Sequence, residues 1–245
     1  EIVVSDWSSD VCSSDLVLIT TATNPPEGVF VLEMTNIATR KMTAKAGVFF
    51  WAASGVSKIV IADATGQTLL DQSEVQALEQ MGVEVEQIHY LQDNDSVLRK
   101  GKGYGEGALI KFAIQNSALL KQADSFFKCT GKVYCRNFPE ILHMIEQNNI
   151  QNIIWRDVFG NVADTRFFYS SKEFGENFLI PAYENIDDRN GICSEHCVWS
   201  LANEHLTQRT SIRPLLSGFS GSLNQPYFDK GMGFLDENFP CWVSQ

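Results

Sequence analysis

The stretch Gly101-Lys-Gly-Tyr-Gly-Glu-Gly107 has the composition of a ligand-binding segment, because four glycines alternate with polar side chains. Residues without side chains let backbone amides come close to a bound group at the start of a following helix. Such a group would be a phosphate or a sugar ring, and the alternative is a flexible surface turn. The residues predicted to make these contacts are Lys102, Gly103, Tyr104, Gly105 and Glu106.

Two better-known nucleotide motifs are incomplete. The segment 103–108 supplies only half of a dinucleotide fingerprint, and the nearest predicted strand lies about ten residues upstream instead of leading directly into it. Gly131-Lys132 lacks the preceding glycine spacing and the following Ser or Thr of a Walker A loop. The sequence therefore favours neither an NAD site nor a P-loop.

The cysteines indicate thiols rather than disulfides. After residue 16, five cysteines are scattered without a Cys-x-x-Cys pair, which is typical of reduced thiols in a cytosol. Cys193-Ser-Glu-His-Cys197 gathers three potential metal ligands, but no second ligand pair with zinc-site spacing accompanies it. Small buried thiols are the preferred interpretation.

The elements that must position these residues alternate between strand and helix patterns. Apolar or β-branched runs predict strands over 17–23, 58–63, 83–91, 124–130 and 150–155, and helical patterns fall over 39–51, 73–82, 108–121 and 139–148. Segment 93–107 is predicted to be a polar, glycine-rich loop. The fold class expected is α/β, a mainly parallel sheet flanked by helices, with a less regular C-terminal third.

Ligands of open α/β sheets bind beyond the carboxyl ends of the strands. The polar residues that the sequence places there lie in segments 20–24, 63–66 and 128–132, together with the glycines of 101–107 and the loops after Arg156.

Composition narrows the function classes. The 245 residues are 44% hydrophobic and 20% charged, with a mean hydropathy of −0.11, which is ordinary for an enzyme domain. A net charge of −11 disfavours nucleic acid as a partner, and no apolar run reaches the length of a transmembrane helix. Residues 5–16 resemble a translated sequencing adapter, so residues 1–16 are predicted to be a non-native segment ahead of one domain over 17–245.

Four blocks of the chain resemble a family of small bacterial glycosyltransferases found among surface-polysaccharide genes. The blocks are Leu98–Asn137, Ala163–Phe174, Ser194–His205 and Ser217–Tyr227. The resemblance covers most of residues 17–245 and implies a GT-A-like, Rossmann-like fold that binds a nucleotide sugar.

The resemblance implies a position for the donor. The end of the first strand, with Thr20, Thr21 and Thr23, and Asp63 would hold the nucleoside. The strand ending in Lys128, Thr130 and Lys132 stands where this fold carries a metal-binding Asp-x-Asp, so either lysine could neutralise the diphosphate instead. No cofactor is required on this interpretation, although Mg²⁺ or Mn²⁺ is left open. Asp93-Asn-Asp95 spells the motif but lies in a predicted solvated turn.

The remaining candidates concern transfer itself. Inverting sugar transfer needs a general base, for which Glu195 is the candidate, with His196 as its orienter or as a phosphate donor. An acidic residue in a first helical turn also stabilises the helix, so this alternative stays open. Asp164 and Arg166 share one face of a predicted strand, which fits either sugar and phosphate recognition or a structural ion pair. Ser220 lies in segment 217–222, whose hydroxyls and amides could close over a diphosphate.

Together these features predict an enzyme that transfers a sugar from a nucleoside diphosphate donor to a glycan or lipid-linked acceptor. The expected location is the cytoplasm, including the inner face of the membrane if the acceptor is lipid-linked. Two alternatives stay open: a nucleotide-sugar modifying or nucleotidyl-transferring enzyme, and a non-catalytic nucleotide- or glycan-binding protein of a polysaccharide-assembly complex.

Overall fold

The computed structural model describes residues 15–156, 162–205, 212–222, 224–228 and 242–244, and a seven-stranded β-sheet forms its centre. The strands are β1 (Leu16–Thr21), β2 (Lys58–Asp63), β3 (Glu84–His89), β4 (Ser125–Thr130), β5 (Val133–Cys135), β6 (Asn152–Arg156), β7 (Ala163–Ser171), β8 (Leu216–Ser220), β9 (Gln225–Phe228) and β10 (Trp242–Ser244).

The helices connect these strands. They are α1 (Ile37–Ala53), α2 (Gln72–Gln80), α3 (Asn94–Lys100), α4 (Lys102–Asn116), α5 (Ala118–Gln122), α6 (Phe138–Asn148), α7 (Lys172–Phe174), α8 (Ile180–Glu184) and α9 (Ser194–His205). A π-helical segment (Gly175–Leu179) joins α7 to α8, and a 3₁₀ turn spans Asp188–Asn190.

The sheet has the spatial order β10-β6-β7-β4-β1-β2-β3. Strands β1, β2, β3 and β4 are parallel. Strand β7 is antiparallel to both β4 and β6, so β6 again runs with β4, and β10 is antiparallel to β6. A second, antiparallel sheet contains β5, β8 and β9. The predicted α/β class with a mainly parallel sheet flanked by helices is confirmed.

Different helices cover the two faces of the sheet. Val17 and Ile19 of β1 pack into a core with α1, α2 and α6, whereas Leu16 and Leu18 pack towards α4, α5, α8 and α9. Burial on both faces explains why β1 is a continuous apolar run. Leu16, the last residue of the predicted non-native segment, is fully buried in β1, while residues 1–14 and Cys241 lie outside the described residues.

Most predicted elements agree with the structure to within a few residues, but the predicted loop over 93–107 is wrong. Helix α3 covers much of this segment, and α4 begins at Lys102 and contains three of the four glycines. The two helices are separated at Gly101, whose φ of 106° favours glycine. Within the described residues, no helix combines the length and apolar character that crossing a bilayer requires.

The glycines in α4 permit close packing against α8. Gly107→Ala is expected to destabilise the fold by about 1–3 kcal/mol, because its Cβ would lie 2.5 Å from Cβ of Tyr183. Urea unfolding followed by circular dichroism measures the loss. Gly175→Ala is the matched control, since its Cβ would meet the nearest atoms only at 3.4 Å or more. Equal losses in the two variants would contradict the close approach of α4 and α8.

Candidate functional site

A cavity of about 650 Å³ opens at the carboxyl ends of β1 and β4, which lie side by side in the sheet. The beginnings of α4 and α9, the loop before α1 and the turn after β8 surround it. This is the edge at which open α/β sheets bind ligands. The predicted site residues that line the cavity are Thr20, Thr21, Lys102, Gly103, Gly105, Glu106, Thr130, Lys132, Arg166, Glu195 and Ser220.

Glu106 is the polar anchor of the cavity wall. Its Oε1 accepts hydrogen bonds from the hydroxyls of Thr20 (2.7 Å) and Thr130 (3.2 Å) and lies 2.8 Å from Nζ of Lys128. Burial opposes ionisation of Glu106, but the charge and hydrogen bond of Lys128 outweigh it, so the pKa of this carboxyl is lowered. Within the described residues, Oε2 of Glu106 makes no hydrogen bond, which leaves one carboxylate oxygen available to a ligand.

Lys128 supports this wall from inside the protein. Its side chain is fully buried, and Nζ donates to the carbonyl of Thr165 (2.6 Å) and the hydroxyl of Thr130 (3.1 Å) beside its ion pair with Glu106. A buried ammonium requires such compensation. Lys128 does not line the cavity. Of the two lysines predicted to neutralise a diphosphate, only Lys132 reaches it.

Lys132 is positioned by the contact between β5 and β8. The N–H of Phe219 donates to the carbonyl of Lys132 (2.8 Å), and Gly218, with φ of 138°, lies so close to this carbonyl that a side chain there would collide with it. The Lys132 side chain is buried, with Nζ beside Gly221. Among the residues that the structure describes, its Nζ has no hydrogen-bond or carboxylate partner.

Arg40 and Lys102 complete a cationic end of the cavity. Arg40 is buried and donates to the carbonyls of Ala22 (2.6 Å) and Met34 (2.8 Å). Lys102 donates to the hydroxyl of Ser222. Burial lowers the pKa of Lys132 to about 7, and the charges of Arg40 and Lys102 act in the same direction against the opposing effect of Glu106. Three cations therefore share a small, partly desolvated space.

Acidic groups from the C-terminal part of the chain line another part of the cavity. Glu195 lies in the first turn of α9, where its Oε2 accepts from the Ser194 hydroxyl (3.0 Å) and its Oε1 lies 3.5 Å from the Thr165 hydroxyl. Asp188 accepts from the N–H of Gly103 (2.8 Å). Burial raises the pKa of Asp188, the Gly103 N–H opposes this shift, and the charge of Glu195 adds to it.

The bond between Asp188 and Gly103 corrects the predicted role of the glycine run. The amide of Gly103 was expected to face a ligand, but the Asp188 carboxylate already occupies it. Gly101 and Gly103 allow this approach, because a Cβ on either would collide with the Asp188 side chain. In this segment an aspartate of the protein takes the position expected for an external anion.

Asp63 and Thr23 lie behind the cavity instead of lining it. Asp63 accepts from the backbone N–H groups of Thr23 (2.9 Å), Thr65 (2.8 Å) and Gln67 (3.1 Å) and from the Thr65 hydroxyl (2.5 Å). Only 1% of Asp63 is exposed. Its carboxylate therefore holds the loops after β1 and β2, and the structure places neither Asp63 nor Thr23 in the cavity wall, where the prediction put them.

Asp164 and Arg166 form a two-point ion pair. Nε of Arg166 donates to Oδ1 of Asp164 at 2.7 Å, and Nη2 donates to Oδ2 at 2.6 Å. Asp164 is buried and does not line the cavity, whereas Arg166 does. The structure thus shows the ion pair that was one of the two alternatives for Asp164, and it does not bring Asp164 into the cavity wall as the predicted catalytic role requires.

His196 and Tyr104 also point elsewhere. His196 is exposed, and its Nδ1 lies 3.0 Å from Sγ of Cys193. None of the described interactions joins His196 to Glu195, so the structure does not show the predicted orienting contact. Tyr104 lies on the other side of α4, where it lines a second cavity of about 340 Å³. Nζ of Lys100 lies over the Tyr104 ring, 4.3 Å from the ring centroid. Its predicted contact with the donor is wrong for the cavity at the strand ends.

Two lysines lie at the end of β4, where the resemblance places a metal-binding Asp-x-Asp. Lys128 and Lys132 bring positive charge there, and the nearest carboxylate, Glu106, is paired with Lys128. Across the described ranges, no group of three or more His, Cys, Asp or Glu side chains could hold a metal ion.

Asp93 of the Asp-x-Asp sequence caps α3, accepting from the N–H of Asp95 (3.1 Å) and the hydroxyl of Ser96 (2.6 Å).

The polar residues of the cavity wall that sequence analysis missed include Arg40, Gln92 and Asp188. Arg40 lies within an ordinary helical pattern, and its burial comes from contacts with the preceding loop, which no local pattern reveals. Asp188 lies in a polar turn typical of exposed loops. Gln92 lies three residues after the end of β3, so the rule that sites form at strand ends could have found it.

Comparisons with solved structures give distant likenesses, two of which are described below. No family model matches the chain, and no curated protein matches it. A structure assigned as glucose-1-phosphate thymidylyltransferase from Bacillus anthracis, in complex with sucrose, is similar over 84% of this chain and 89% of its own, with 10% identity and a TM-score of 0.44. Mannose-1-phosphate geranyltransferase from Thermus thermophilus is similar over 73% of this chain and 64% of its own, with 5% identity and a TM-score of 0.28.

The pair formed by Glu106 and Lys128 should dominate the stability of the site. Glu106→Gln is expected to destabilise the folded state by about 3 kcal/mol, because it removes the counter-charge of a fully buried ammonium. Denaturant unfolding measures this loss. Adding Lys128→Met should restore much of the stability, since the uncompensated charge is then absent. A double variant at least as unstable as Glu106→Gln alone would contradict the assignment.

Proposed function

We propose that this protein is a transferase that acts on an activated sugar, in which the sugar is joined to a nucleoside diphosphate. The observation that carries the proposal is that both cations and carboxylates line one cavity. A departing diphosphate requires nearby positive charge. A sugar presents hydroxyl groups, for which carboxylate oxygens are suitable acceptors.

The cationic end supports a position for the phosphates. Lys132, Arg40 and Lys102 would lie along the diphosphate, with Ser220 and its neighbours in the turn after β8 beside it. The free Oε2 of Glu106 would accept a hydrogen bond from a hydroxyl of the ligand. Glu106 suits this task because its other oxygen is held by three donors, which keep the carboxylate ionised and fixed in position.

Glycosyl transfer is a reaction that would use both the cations and the carboxylates of the cavity. The acceptor hydroxyl oxygen would attack the anomeric carbon while Glu195 takes the hydroxyl proton. The bond between the anomeric carbon and the diphosphate oxygen would break, and its electron pair would remain on that oxygen, near Lys132 and Arg40. Following the resemblance of the sequence blocks, the acceptor would be a glycan or a lipid-linked sugar.

Nucleotidyl transfer is a second candidate, and the number of cations favours it. In that reaction a sugar 1-phosphate attacks the α-phosphorus of a nucleoside triphosphate, and pyrophosphate leaves. Pyrophosphate carries more negative charge than a nucleoside diphosphate, so three neighbouring cations would compensate it more fully. Both reactions share the cavity and differ in the bond that is made.

Product analysis separates these reactions. A panel of UDP-, GDP- and CMP-sugars is incubated with acceptor glycans, and a parallel panel of nucleoside triphosphates is incubated with sugar 1-phosphates. Release of nucleoside diphosphate or monophosphate with a new glycosidic bond supports glycosyl transfer, whereas release of pyrophosphate with a new nucleotide sugar supports nucleotidyl transfer. Binding without turnover in both panels would instead support the non-catalytic alternative.

Glu195→Gln is expected to lower turnover in the glycosyl transfer assay by a factor of about 10²–10⁴, with donor affinity retained. The reason is that the amide cannot accept the acceptor proton, while its shape preserves the cavity. Turnover is measured as nucleotide release, and donor affinity by calorimetry. Glu176→Gln, on an exposed residue outside the cavity, is the matched control. Wild-type turnover in Glu195→Gln would remove Glu195 from the role of base.

A further inference from the structure

Lys132 is the one lysine of the cavity wall whose side chain is buried and whose ammonium has no acceptor among the described residues. It is 9% exposed and lies against Gly221, and β5 and β8 hold its backbone in place. Lys128, by comparison, has a carboxylate and a carbonyl within 2.8 Å. Burial of the side chain disfavours the charged form of Lys132, and an anion bound in the cavity would favour it.

The charged groups around Lys132 come from several elements. Arg40 from α1 and Lys102 from α4 oppose its protonation, as does Lys128 of β4, and Glu106 of α4 favours it. Glu33, in the loop before α1, is exposed, and the described part of β8 and of the turn that follows carries no charged side chain. Arg166, Asp188 and Glu195 line more of the same cavity. Three of the four charges acting on Lys132 are therefore positive.

We propose that Arg40, Lys102 and Lys132 form an oxyanion subsite in which Lys132 takes up a proton as a phosphate-type dianion binds. A bound dianion would supply the counter-charge that the described residues do not provide. The inference rests on the proposed function for the natural ligand, a diphosphate group, but anion binding itself requires neither a sugar nor turnover.

The direction of the pH dependence follows from linkage. In the free protein the pKa of Lys132 is lowered to about 7, chiefly by burial. A bound anion favours the ammonium and raises this pKa, so binding above pH 7 must be accompanied by proton uptake. Below that pH, Lys132 already carries its proton, and the affinity becomes independent of pH. The anion should therefore bind more weakly as the pH rises above about 7.

Sulfate is the probe for this experiment, because it remains a dianion throughout the pH range of interest. Isothermal titration calorimetry in buffers of different ionisation enthalpy gives the number of protons taken up per sulfate bound. We expect close to one proton near pH 8 and almost none near pH 6, with the affinity falling by up to about tenfold per pH unit above pH 7. This measurement needs only the wild-type protein.

Variants of the subsite identify the residue that takes up the proton when sulfate binds. Lys132→Met should weaken sulfate binding and abolish proton uptake, whereas Lys132→Arg should retain binding with little dependence on pH, because guanidinium stays charged. Lys102→Met is the matched control within the subsite: it should weaken binding and, because the charge of Lys102 opposes protonation of Lys132, move the proton uptake to higher pH without abolishing it. Lys121→Met, on an exposed lysine outside the cavity, should change neither quantity. Melting temperatures without sulfate identify variants that are not folded.

Sulfate that fails to bind wild-type protein, or binds without proton uptake near pH 8, would overturn the proposal. Uptake that persists in folded Lys132→Met would overturn the assignment to Lys132. Failure of the proposed function has a different signature: sulfate would bind with proton uptake while no nucleotide sugar or triphosphate is turned over. Turnover in the panels with pH-independent sulfate binding would retain the function and reject this inference.

Discussion

The buried ion pair between Lys128 and Glu106 fixes how helix α4 meets the sheet. Lys128 comes from β4, and its Nζ is satisfied only where Glu106, Thr130 and the carbonyl of Thr165 converge on it. Thr20 of β1 completes this arrangement by donating to the same carboxylate oxygen. Two strand ends, one helix and β7 are thereby joined around one charge pair. Any displacement of α4 would leave a buried ammonium uncompensated, so the cavity wall has little freedom to move.

The same pair determines which charges remain for a ligand. Because Glu106 neutralises Lys128, the positive charge that reaches the cavity comes from Lys132, Arg40 and Lys102. Asp164 restrains Arg166 in a similar way. Glu195, by contrast, has no cation paired with it among the described residues and is held by the hydroxyls of Thr165 and Ser194 and the thiol of Cys193. The protein thus has two kinds of charged group at this edge: paired groups that set its geometry, and groups that are free to act on a bound molecule.

The sequence was sufficient to predict the sheet, because buried parallel strands are marked by continuous apolar runs such as Lys58–Asp63, whose predicted bounds agree with β2. It also identified the edge where the cavity opens. Individual contacts were harder, since they depend on residues far apart in the chain. Asp63 has the position of a ligand-binding acid, yet four donors from nearby loops use its oxygens. The burial of Arg40 likewise depends on loop contacts that have no local sequence signal.

The glycine run 101–107 shows how secondary structure determines which side chains reach the cavity. In an extended segment, residues 102, 104 and 106 would share one face, and all three side chains would reach the same ligand. In a helix, residues 102 and 106 lie on one face, while residue 104 is about 200° away from residue 102. The structure follows the helical pattern: Lys102 and Glu106 line the cavity, and Tyr104 lines the second one. Gly103 and Gly107 make the helix possible, because Asp188 and Tyr183 occupy the space that their side chains would need. The packing of glycine against these residues outweighs its low helix propensity of about 1 kcal/mol per residue, and this packing directs a lysine and a glutamate into one cavity.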